Sequence, residues 1–116
     1  MKSFTNRATE ITMPNEDNTG VLNMTYADLA VMCLNLQPEG KGFSLEEMEE
    51  RLPIVAKLKP VKRDAGAIIE LEDSQLRKLS RQVDEMSGKW AFMHEDIVGF
   101  NKYVKDLEKE VAPTEE

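Results

Sequence analysis

His94, Glu95 and Asp96 stand side by side, and an imidazole beside two carboxylates invites a metal site or a general base. Their spacing argues against both. Adjacent residues on a helix point in different directions, and no second histidine or cysteine lies near them in sequence to complete a ligand set. The triplet reads instead as a helix start, with Glu95 and Asp96 placed where the positive end of the helix dipole favours carboxylates.

Cys33 is the single cysteine. Paired with His94 it could form a thiolate nucleophile, but it falls in the most apolar run of the chain. Burial there raises a thiol pKa and makes the group inert, so Cys33 is expected in the core. Gly40-Lys41-Gly42 lacks the preceding strand and trailing Lys-Ser/Thr of a phosphate loop and reads as a connection between helices. Glu70, Glu72 and Asp73 lack the alternating oxygen ligands and central glycine of a calcium loop. The expectation is a protein that is not an enzyme, with no catalytic, cofactor-binding or metal-binding residues and no cofactor.

The elements that would hold these residues follow from hydrophobic period and capping. Thr25 with Asp28 forms a capping box, and Tyr26 to Leu36 is apolar almost all round, which places that helix at the centre of the fold. Pro38, Gly40 and Gly42 end it. Ser44 caps the next helix, with Glu47 completing a box and Phe43 stapling onto Met48. Leu45, Met48, Leu52, Val55 and Leu58 follow at helical spacing as its apolar face. Pro53 deletes a backbone donor and clashes one turn back, which predicts two pieces, about 45–51 and 53–58.

Pro60 to Gly66 reads as a basic loop, and Ala67 to Leu71 as one short strand. Asp73 caps a third helix with Leu76, Leu79, Val83 and Met86 on one face, ended by Gly88. Trp90 to Met93 is a packed linker, and a last helix from His94 carries Ile97, Phe100, Val104, Leu107 and Val111 on one stripe. Residues 1–24 are polar, with the turn cluster Pro14 to Gly20; they read either as an arm that orders on a partner or as a loose hairpin pairing 8–13 with 20–24. The expected fold is mainly α (α+β): about four helices, one or two short strands and a polar N-terminal arm. The expected division is 1–24 as arm or hairpin, 25–111 as the helical domain and 112–116 as a frayed tail.

The chain is acidic, with a net charge of −7, which disfavours general binding to phosphate backbones. One segment runs the other way: Lys57, Lys59, Lys62, Arg63, Arg77, Lys78 and Arg81 give 57–81 seven basic residues against four acidic ones. With the helical order across 25–87 this permits a second reading, a nucleic-acid-binding regulator of helix-turn-helix layout. A third reading is an acidic inhibitor of a host protein. The first is protein–protein contact with a protein partner, either another copy of the chain or another subunit. Ile97, Phe100, Val104 and Leu107 are then the candidate contact stripe. No run approaches the roughly 18 apolar residues of a membrane span, and the N-terminal Met-Lys-Ser-Phe-Thr-Asn-Arg lacks the apolar run of a signal peptide. Together with the lone cysteine, this sets a cytoplasmic expectation.

The runs Thr25-Tyr-Ala-Asp-Leu-Ala-Val-Met, Gly42-Phe-Ser-Leu-Glu-Glu-Met-Glu-Glu-Arg-Leu-Pro53 and Ile69-Glu-Leu-Glu-Asp73 resemble small uncharacterised proteins of bacteriophages and prophages, over about 25–107. The resemblance carries no functional motif and transfers no site residue. It implies virion assembly, an accessory structural part or a host-directed binder, located in the host cytoplasm or on the virion.

Overall fold

Four helices and two small antiparallel sheets make up the computed structural model, which describes residues 1–14, 17–38 and 42–110. Of the described residues, 52% are helical. The strands are β1 (Lys2–Thr5), β2 (Ala8–Pro14), β3 (Val21–Thr25) and β4 (Ile68–Leu71); the helices are α1 (Tyr26–Leu34), α2 (Leu45–Leu58), α3 (Asp73–Met86) and α4 (Glu95–Lys109). Gly40, Lys41, Val111 and the tail 112–116 lie outside the described residues, so the expectations placed on them have no structural counterpart here.

Helix α1 forms where capping and composition place it. Thr25 Oγ1 accepts from the Asp28 amide and the Asp28 carboxylate accepts from the Thr25 amide, satisfying two donors at the helix start. Ala27, Leu29, Ala30, Val31, Cys33 and Leu34 are buried, and α2, α3 and α4 all pack on it. The acidic Asp28 is buried too. Arg63 and Lys62 neutralise it, and Arg63 also donates to the Asn23 carbonyl at 3.1 Å.

Residues 2–5, 8–14 and 21–25 are built into the fold as strands. β2 and β3 pair across the turn, with Thr12 opposite Asn23 and Pro14 opposite Val21. β1, which the sequence reading left unstructured, pairs with β4 in the register Phe4 to Ile69. Asn6 anchors the link between the sheets. It is buried, its amide nitrogen donates to the Val61 carbonyl at 2.7 Å, and its side-chain oxygen accepts from the Ala27 amide at 2.8 Å. Every polar group of this side chain is thereby spent on fixing loop to helix.

Helix α2 departs from expectation twice. It is continuous from Leu45 to Leu58 despite Pro53. Pro53 and Glu49 are both exposed, so water can take the Glu49 carbonyl that the proline leaves unbonded. The helix is also rolled: Arg51, Ile54, Val55 and Leu58 face inward, while Leu45, Met48 and Leu52 face out. Ser44 does cap it, accepting from the Glu47 amide at 3.1 Å. The Glu47 carboxylate is taken by Arg51 and Lys78 instead of closing the expected box. Phe43 lies under the Arg51 guanidinium, 4.9 Å from ring centre.

Glu72, one residue before the expected Asp73, caps α3, and its amide donates to Gln75 Oε1 at 2.9 Å. Gly88 follows the helix at φ 85°, a conformation that favours glycine. Lys105 of α4 reaches Ser80 Oγ at 2.7 Å and Asp84 at 2.6 Å, tying α4 to α3. Phe4, Tyr26, Phe100 and Tyr103 meet edge to face or tilted, with centroids 5.3 to 5.5 Å apart, where strand, α1 and α4 converge.

Candidate interaction surface

The reactive side chains serve the fold. Cys33 is buried within α1, and burial pushes its thiol up to about 12. His94 is the N-cap of α4, its Nδ1 accepting from the Asp96 amide at 3.0 Å. Asp96 in turn accepts from the Glu10 amide of β2 at 2.8 Å. The His-Glu-Asp triplet thus joins a helix start to a sheet edge. Among the described residues no group of three His, Cys, Asp or Glu side chains is placed to hold a metal ion.

Most of the basic segment is drawn into the fold as well. Lys57 donates to the Glu70 carbonyl and to Gln75 Oε1, both at 2.8 Å. Lys78 bridges Glu47 at 2.8 Å and Glu50 at 2.9 Å. Lys59, Lys62 and Arg63 line one groove beside Asp17 and Asp28, while Arg77, Lys78 and Arg81 line another beside Glu49 and Glu50. Six of the seven cations therefore fall in two clusters, each interleaved with carboxylates, in place of one basic stripe, and Lys57 stands apart on Glu70 and Gln75.

The stripe proposed for partner contact is turned inward. Ile97, Phe100, Val104 and Leu107 are all buried, because α4 needs that face to pack on α1 and α3. Exposed apolar side chains lie elsewhere, and among the described residues two groups of them share a helix or helix start. At the start of α4, Met93 is 98% exposed and Val98 70%, and with Trp90, Phe92, His94 and Ile97 they line an open depression of about 660 Å³. Trp90 Nε1 is buried and has no acceptor among the described residues. On α2, Leu45 is 78% exposed, Leu52 60% and Met48 40%. Both surfaces depart from the sequence pattern, which packs the Trp90 to Met93 linker and turns Leu45, Met48 and Leu52 inward. The only advance signal was the run of Trp90, Phe92 and Met93 in a segment too short to bury all three.

No family model matches the chain, and neither a curated protein nor a solved structure is detectably similar to it. No described helix is long and apolar enough to cross a membrane.

Proposed function

We propose that this protein is a non-enzymatic structural or assembly part that works through protein–protein contact, encoded by a bacteriophage and acting in the host cytoplasm or on the virion. The phage origin rests on the resemblance over 25–107. The contact role rests on the corner at 88–98.

That corner has the composition of an interface core. Aromatic and methionine side chains are enriched at such cores, the aromatics because they bury much surface at low cost in lost freedom and methionine because its flexible thioether adapts to the facing surface. Here Trp90, Phe92, Met93 and Val98 are gathered at one helix start, and Met93 is almost fully in water. An apolar partner covering them gains burial.

The test is quantitative capture by the tagged protein from its native cells, comparing wild type with a Met93→Asp, Val98→Asp double variant, alongside light scattering of each. Capture of a partner, or a multimer, that the double variant loses supports the proposal. Identical capture and an identical monomer mass for both proteins overturn it.

A further inference from the structure

We propose that Lys57 closes the outer edge of β4, which without it pairs antiparallel with β4 of a second copy of the chain. The inference concerns a different part of the surface from the contact reading above and does not depend on it.

The register of β1 on β4 fixes which backbone groups lie on that edge. Asn6 donates its amide to the Ala67 carbonyl at 2.8 Å, and Phe4 with Ile69 and Lys2 with Leu71 follow at the two-residue repeat of an antiparallel ladder. The alternate residues of β4, Ile68 and Glu70, therefore turn their N–H and C=O groups away from β1. The Glu70 carbonyl shows this direction, since it accepts from Lys57 Nζ of α2 at 2.8 Å. The Ile68 N–H, the Ile68 carbonyl and the Glu70 N–H have no hydrogen-bond partner among the described residues. Ile68 is 63% exposed, and Ile-Ile-Glu-Leu favours extended chain. Such an edge is a template for another strand.

A second copy fits it in one register. A two-fold axis through Ile69 sets Ile68 of each copy opposite Glu70 of the other, and each such pair exchanges both of its backbone bonds. The two Glu70 carboxylates then lie on opposite sides of the axis and do not meet. Growth stops at a dimer because the far edge of β1 is covered: Tyr103 Oη of α4 accepts from the Thr5 amide at 2.7 Å.

Lys57 stands in the way. The pairing needs the Glu70 carbonyl that Lys57 occupies, and it would lay the arriving strand over an ammonium group. A second bond holds the lysine there, to Gln75 Oε1 at 2.8 Å, and that oxygen also accepts from the Glu72 amide at 2.9 Å.

The experiment compares masses by light scattering in the Met93→Asp, Val98→Asp background, so that contact at the 88–98 corner does not enter. Lys57→Met keeps the aliphatic stem and removes the ammonium. It is expected to raise the mass about twofold and to slow exchange of the Ile68 and Glu70 amides by about tenfold or more. Adding Ile68→Glu sets a carboxylate against Glu70 of the other copy and should return the mass to that of the parent. Adding Ile68→Lys sets a cation there and should keep the dimer. Circular dichroism checks that each variant folds. With Lys57 in place, the Ile68 and Glu70 amides should exchange at least about tenfold faster than those of Ile69 and Leu71, a measurement that needs no change at 57.

A Lys57→Met protein with the parent's mass, equal effects of Ile68→Glu and Ile68→Lys, assemblies larger than a dimer, or protected Ile68 and Glu70 amides beside an intact Lys57 each overturn the inference.

Discussion

Arg51 donates from one guanidinium nitrogen to the Leu34 carbonyl at 2.9 Å, closing the last turn of α1 from a neighbouring helix. The same nitrogen reaches the Leu36 carbonyl at 2.7 Å, and Nε holds Glu47 at 2.8 Å. Carbonyls at a helix end have no partner within their own helix, and here a buried cation supplies one. A single side chain therefore caps α1, sets the roll of α2 and puts Leu45, Met48 and Leu52 in water.

Replacing Arg51 by leucine strands those carbonyls and leaves Glu47 with Lys78 alone. The expected loss is about 3 kcal/mol of unfolding free energy, read from the urea midpoint. A loss below about 0.5 kcal/mol, the range of ordinary surface substitutions, contradicts the capping role.

Acidification reports the same junction. Hydrogen bonds from Lys78 and then Arg51 hold the Glu47 carboxyl below its ordinary value. Because the folded value is the depressed one, its stabilisation is present above the ordinary carboxylate range and is lost as pH falls through the folded value. Burial opposes the charge on Lys78, but its bonds to Glu47 and Glu50 outweigh this and raise it, so that contribution is lost only as pH climbs beyond the ordinary lysine range. Between pH 6 and pH 3 wild type should lose more stability than Glu47→Gln, and parallel curves from urea melts at each pH rule the junction out.

Cys33 is expected to react slowly in the folded protein. With its thiol buried and pushed up to about 12, a disulfide reagent at pH 8 should react about 1,000-fold more slowly with the native protein than in urea, because reaction waits for opening. Fast native labelling contradicts the inert reading.

At the other end, His94→Ala should cost about 1 kcal/mol, and His94→Asn should recover most of it, since asparagine can also accept from the Asp96 amide. Thermal melts of the two variants separate a cap from a residue retained for another purpose, which asparagine does not rescue.

Much of this fold is readable from local pattern. Thr25 with Asp28, the Leu76, Leu79, Val83 and Met86 face, Gly88 and His94 all obey rules that operate over a few residues. What escapes is set by partners distant in sequence. β1 offers only Phe4 as an apolar signal and is defined by pairing with β4 more than sixty residues on, as Ser3 to Glu70 shows. The roll of α2 depends on Arg51 finding carbonyls of another helix, against a periodicity that favours burying Leu45, Met48 and Leu52. The burial of α4 follows the same logic: its apolar stripe, the most regular in the chain, is the one the core consumes.

Site-specific photo-crosslinking in native cells tests the central claim most directly, with the reactive group placed at position 93 in one sample and at position 81 in another. The account predicts a defined protein adduct from position 93 and no nucleic-acid adduct from position 81. A nucleic-acid adduct from position 81, with position 93 silent, contradicts it.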